Sequence, residues 1–224
     1  MNEWFEHIPT ADMIAWRRHI HQHPELSFNE YKTSAFVEKT LRSFGDIEIQ
    51  HPAQTSVLAI IHGAQEGKTI LLRADMDALP MQEESGLSFS SDVNNVAHTC
   101  GHDTHTAMLL ATAKVLYELK DSLHGSVKLI FQHAEELNPG GSQAIVDSGL
   151  IDDVDAVVGL HIIPNLPCGS IHVHPSGPAT TAADGFFLHI QGKGSHGSMP
   201  QNGIDPIIIG TQIITQLQTI VSRM

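Results

Sequence analysis

The chain has 224 residues, 41% of them hydrophobic, with 12 Lys and Arg against 25 Asp and Glu for a formal net charge of −13. That is enough apolar material for one large or two small domains, which excludes a disordered chain. The acidic balance, with no local basic cluster, opposes phosphate backbones and anionic lipid, so neither nucleic acid nor a membrane is an expected partner.

The opening run MNEWFEHIPTADMIAW carries early acids and lacks both a basic n-region and a long apolar stretch, so no secretory signal is expected. No segment approaches the roughly 18 apolar residues of a membrane span. A cytoplasmic location is the expectation. There, Cys100 and Cys168 should stay reduced, leaving Cys100 free to serve as a thiolate ligand.

Residues 11–23 and 29–44 read as helices separated by His23-Pro24, the second with Tyr31, Ala35, Phe36, Leu41 and Phe44 roughly on one face. β-rich runs follow at 56–62 and 69–74, joined by a turn from Gly63 to Gly67, and the second run leads into Asp75 and Asp77. Residues 103–119 give the clearest helix, with Asp103 or Thr104 as N-cap. A strand at 126–132, a helix near 141–149 and an apolar strand at 156–162 come next. This alternation predicts an α/β fold, a sheet flanked by helices. After about residue 180 the pattern changes: a strand-like 185–192, a Gly-rich loop and a helix at 206–222 read as the start of a second domain. The expected domains are therefore 1–180 and 181–224.

Three segments carry metal-competent side chains. Cys100 and His102 lie two apart where a loop enters a helix, so both can face one ion, and the helix end favours a thiolate. Glu135 and Glu136 follow an apolar strand, where open α/β sheets place their ligands; one acid can bind metal while its neighbour acts as general base. His161 ends the third apolar run, and a carboxylate of the strand-end motif Arg73-Ala74-Asp75-Met76-Asp77 can orient a ligating histidine. Each motif also has an ordinary explanation: a buried Cys beside a helix cap, a solvated Glu pair, a core histidine, an acidic turn. Their coincidence on three separate strand-end or loop segments favours a shared metal site.

Six segments together, RRHIHQHPELSFNEY (17–31), LLRADMDALP (71–80), AHTCGHDTHTAMLL (97–110), FQHAEE (131–136), VGLHIIPNLPCG (158–169) and GKGSHGSMPQNGIDP (192–206), resemble the M20 metallopeptidase clan. The resemblance is to its amidohydrolase branch of hippurate hydrolases, N-acyl-amino-acid amidohydrolases and plant auxin-conjugate hydrolases. It implies a metallopeptidase-type mixed sheet flanked by helices plus an inserted α+β lid. It further implies that Cys100, His102, Glu136 and His161 hold two divalent ions, zinc or manganese with cobalt or nickel as alternatives. Glu135 becomes the base and Asp77 the orienting acid. His196 becomes a lid residue that reaches the partner's active site in a homodimer. Asp75 stands where related branches place a metal-binding histidine. The substrate implied is an N-acyl amino acid or small peptide-like amide.

The family pattern continues past Met224 to complete the lid and supply a last metal-ligating histidine. On this comparison the chain is expected to be C-terminally truncated and impaired in activity. Two other readings stand beside the enzyme: a non-catalytic metal-binding or dimerising fragment, and a thiol enzyme using Cys100 with a histidine, which the Glu135–Glu136 pair disfavours.

Overall fold

A strand that is apolar at nearly every position must have both its faces covered. Val57–His62 (β2) is of this kind, and His124–Gln132 (β4) is buried at every position from Lys128 to Gln132; in the computed structural model, which describes residues 3–174, 176–178 and 185–223, both lie inside a sheet. They pair antiparallel, Val57 opposite Phe131 and Ile61 opposite Val127. Glu48–Gln50 (β1) adds antiparallel to β2; Gln65–Asp75 (β3) lies parallel to β4, and Ala156–Gly159 (β5) parallel to β3. The order is β1-β2-β4-β3-β5, a mixed sheet.

Strand alternation divides the core in two. Val57, Ala59, Ile61, Leu129 and Phe131 pack with Val37, Leu41, Leu109 and Leu110 from the helices on one face. Leu58, Ile60, Leu71 and Ile130 meet Ile145 on the other. The first face is covered by Thr10–Gln22 (α1), Tyr31–Phe44 (α2) and His102–Glu118 (α3); Ser142–Asp147 (α4) covers the second.

Several expectations need correction. In α2 the buried stripe is Thr33, Ser34, Val37, Thr40 and Leu41, while Tyr31 and Ala35 face outward. The hydroxyls hide because they are satisfied locally, Thr40 Oγ1 donating to the Phe36 carbonyl (2.8 Å) and Thr33 Oγ1 to Glu25 (2.9 Å). The helix α3 begins at His102 behind a left-handed Gly101 (φ 93°), and neither Asp103 nor Thr104 caps it. Asp103 is instead claimed by Arg17 Nε at 2.7 Å and His21 Nδ1 at 2.8 Å. The strand β3 starts at Gln65, inside the expected turn; across from it Gly125 has φ 80°, and a Cβ there would lie 2.0 Å from the Lys68 carbonyl oxygen. The strand β5 ends at Gly159, so His161 sits two residues beyond it.

The described residues form two compact units, Met1–Leu166 and Pro167–Met224. The expected boundary at 180 falls among residues 179–184, which lie outside the described residues. In the second unit no strand forms over 185–192; an isolated bridge joins Lys193 to Ile204, and Pro206–Arg223 (α5) follows, its Ile207 amide donating to Asp205 Oδ1 at 2.9 Å. Residues of the right composition make a strand only when a neighbour supplies the ladder. Among the described residues no helix is long and apolar enough to cross a membrane.

Phe131 is fully buried at the sheet centre. Phe131→Ala should lower unfolding free energy by about 3–5 kcal/mol in denaturant titration, whereas Val157→Ala on exposed β5 should stay within about 0.5 kcal/mol of the parent.

Candidate metal centre

Three parallel strands deliver their C-terminal ends to one side of the sheet. The register pairs Asp75 with Gln132 and Arg73 with Gly159, so Asp77, the Glu135–Glu136 pair and His161 all leave the sheet along the same edge. The start of α3 brings Cys100 and His102 to that edge. Ligand atoms of Cys100, His102 and His161 lie within 4.8 Å of one another, as do those of His102, Glu135 and Glu136. His102 belongs to both groups.

His102 is wholly buried. Its Nδ1 donates to the Asp77 carbonyl at 2.9 Å and to Asp77 Oδ1 at 3.2 Å, which leaves Nε2 as a bare lone pair. Burial pulls the imidazole pKa down, but the Asp77 hydrogen bond and the charges of Asp75, Asp77 and Glu136 outweigh it and raise it. Asp77 also accepts Ser27 Oγ at 2.6 Å and the Glu136 amide at 2.9 Å. Burial alone would push its carboxyl up; hydrogen bonds from His102, Ser27 and the Glu136 and Glu135 amides reverse this and hold it far below the usual carboxylate range.

The chain turns sharply before Glu135 and Glu136, and both carboxylates converge on His102 Nε2. Ala134 adopts φ 47°, and three contacts pin it: its amide donates to the fully buried Glu30 at 2.7 Å, its carbonyl accepts the Gly141 amide at 2.8 Å, and the preceding His133 Nδ1 meets Ser56 Oγ at 2.6 Å. Glu136 Oε1 comes 3.7 Å from His102 Nε2, and Glu135 Oε2 comes 4.0 Å from it. Both His102 Nε2 and Glu136 Oε1 are buried with no hydrogen-bond partner among the described residues. Two orphaned lone pairs facing each other at that distance fit a shared cation. The Glu135 side chain is 42% exposed, on the open side of the group.

Cys100 Sγ lies 3.4 Å from His161 Nε2, and His161 Nδ1 donates to the Ile162 carbonyl at 2.7 Å. The thiolate expected from the helix end is not favoured in the metal-free site. Burial, followed by the neighbouring Glu136, Asp75 and Glu135 charges, pushes the thiol up to about 12. The thiol lies within hydrogen-bond reach of His161 Nε2 and would have to give up its proton to ligate a cation.

Asp75, His102 and His105 form a third such group, with Asp75 Oδ2 3.5 Å from His102 Nε2, but the Asp75 oxygens are already engaged by His105 Nδ1 and Arg73 Nη1, both at 2.7 Å. His196 belongs to the second unit, where its Nδ1 meets Ser198 Oγ at 2.9 Å. Sequence reasoning assigned no role to Ser27, Glu30, Ser56 or His105. Only His105 left a signal, one helical turn after His102.

The family model for peptidase family M20/M25/M40 matches residues 71–216. The chain belongs to peptidase family M20/M25/M40. Among curated relatives, an N-acyl-L-amino acid amidohydrolase of Geobacillus stearothermophilus is 53% identical over 95% of this chain and 57% of its own length. An N-acetyl-L-cysteine deacetylase of Bacillus subtilis is 48% identical over 94% of this chain and 50% of its own. A dinuclear metal-binding peptidase of the M20 family from Bacillus subtilis superposes with a TM-score of 0.67 at 41% identity, over 70% of this chain and 44% of that one. The chain thus spans about half the length of the M20 relatives it matches.

Because the folded pKa of Asp77 is depressed, its contribution to stability is present above the unfolded carboxylate value of about 3.9 and is lost as pH falls below it through the folded pKa. Asp77→Asn should destabilise the metal-free protein by about 3 kcal/mol at neutral pH. The gap from the parent, followed by chemical unfolding at stepped pH, should shrink once pH drops below about 4.

Proposed function

We propose that the protein acts as a metal-dependent amidohydrolase on N-acyl amino acids or small peptide-like amides. The observation that carries this reading is the pair of orphaned lone pairs, His102 Nε2 and Glu136 Oε1, set 3.7 Å apart beside the unengaged, half-exposed Glu135. The names of the amidohydrolase and deacetylase relatives support the reaction class.

In this reading Cys100, His102, Glu136 and His161 hold two divalent ions, of which zinc or manganese suits a set of thiolate, imidazole and carboxylate donors. When bound, such ions acidify water and polarise a carbonyl. Glu135 accepts a proton from the attacking water and returns it to the leaving nitrogen, so the water's hydroxyl ends on the acyl carbon and its proton on the amine. Asp77 keeps the His102 proton on Nδ1, so that Nε2 stays available for coordination. His196, on the second unit, is proposed to contact substrate in the site of a second copy of the chain, as the dimeric resemblance implies.

Glu135→Gln should abolish hydrolysis of N-acetyl and N-benzoyl amino acids, at least about a hundredfold, while metal content measured by elemental analysis stays near parental. Activity retained in that variant would overturn the role of Glu135. Chelators should inhibit the parent, and thiol-selective alkylation should inhibit it only slowly, since Cys100 is committed to the metal; the opposite pattern would favour a thiol enzyme. Mixing inactive Glu135→Gln with inactive His196→Ala should restore activity if sites are shared between copies, and should restore none if each copy is self-sufficient.

A further inference from the structure

His161 stands on a segment outside any strand, and its side chain is exposed, so something other than sheet pairing must fix its direction. One peptide unit does so. The carbonyl of Ile162 accepts His161 Nδ1–H at 2.7 Å, and the amide of Ile162 donates to His105 Nε2 at 3.0 Å. The Ile162 side chain lies against Gly101, where a Cβ would come within 3.4 Å of it. His105 is buried, and its ring meets that of His161 at 4.8 Å between centroids and 65°.

The partners of His105 determine where its proton resides. Asp75 Oδ1, 2.7 Å from Nδ1, can only accept once ionised, and the Ile162 amide, 3.0 Å from Nε2, can only donate. His105 is therefore neutral with its hydrogen on Nδ1. Asp75 in turn is held by Arg73 at 2.7 Å, so the sequence runs from Arg73 through Asp75, His105 and the Ile162 peptide to His161. At its end, His161 has Nδ1 committed and Nε2 turned toward Cys100 at 3.4 Å.

We propose that His105 is a positioning residue for His161: by accepting the Ile162 amide it orients the peptide whose carbonyl fixes the His161 ring, so that Nε2 faces the metal site. This rests on reading His161 as a ligand. It gives the buried Asp75–His105 pair a purpose that direct coordination does not, because both ring nitrogens of His105 are already engaged.

Two substitutions separate the role from mere packing. His105→Asn keeps a donor near Asp75 but loses the acceptor for Ile162; His105→Gln places an amide oxygen at the reach of Nε2 and keeps that acceptor. In metal-free protein, nitrogen-15 NMR of the histidines should show the Nδ1–H tautomer for His105, and the Ile162 amide should be protected from hydrogen exchange in the parent and in His105→Gln but not in His105→Asn. Titration with Co²⁺ alone, followed by cobalt–thiolate absorption, should show affinity falling about 10- to 100-fold in His105→Asn and within about threefold of the parent in His105→Gln. An Nε2–H tautomer, an unprotected Ile162 amide in the parent, or equal weakening in both variants would overturn the proposal. His161→Ala binding Co²⁺ as tightly as the parent would remove His161 from the ligands and overturn the proposal together with the reading beneath it. Loss of affinity in His161→Ala with full affinity in His105→Asn would overturn the proposal alone.

Discussion

A carboxylate sealed from water must have its lone pairs answered by donors. Glu30 and Asp77 impose that requirement on this protein. Glu30, fully buried, is answered by the Phe28 amide, the Ala134 amide and Thr55 Oγ1 at 3.1, 2.7 and 2.8 Å. Asp77 is answered by Ser27, His102 and the Glu136 amide. Between them they tie the segment after α1, the entry to β2, the exit of β4 and the start of α3 to one another. The acidic turn bearing Glu135 and Glu136 is thus held from two directions, which permits the left-handed Ala134.

The electrostatics at the centre point one way. His102 has a raised pKa because Asp77, Asp75 and Glu136 surround it, and Cys100 keeps its proton because the same acids oppose a thiolate. Positive charge is what this cluster lacks. Divalent cations would supply it, and because the Cys100 thiol must give up its proton to ligate one, binding should release a proton and weaken in acid. The acids that raise the thiol pKa are thus the ones that favour the cation.

The elements legible in the sequence were those with a single periodicity. Runs such as VLAII and KLIFQ declare buried strands by length and β-branching, and 103–119 declares a helix by repetition. The buried face of α2 was not legible, because Thr33, Ser34 and Thr40 are polar by composition and buried by virtue of bonds that composition does not record. The stretch 185–192 looked like a strand for its Phe and Ile residues, yet pairing is a property of two segments. At the site, Cys100, His102, Glu135, Glu136 and His161 were conspicuous as metal-competent types at a helix start and after strand ends. Glu30, Ser27 and Ser56 were hidden because their partners lie far away in sequence, and a hydrogen bond across that span leaves no local mark.

Those spans also govern assembly. Glu30 reaches Ala134 across 104 residues, Ser56 reaches His133 across 77, and Asp77 reaches Glu136 across 59. No fragment shorter than these loops can hold the acidic turn in place, and contacts that close large loops form slowly. The central strands can associate early, while the turn at Ala134 waits for residues from three separate parts of the chain. Metal-binding competence therefore marks the end of folding, and its appearance after refolding should lag behind the recovery of secondary structure.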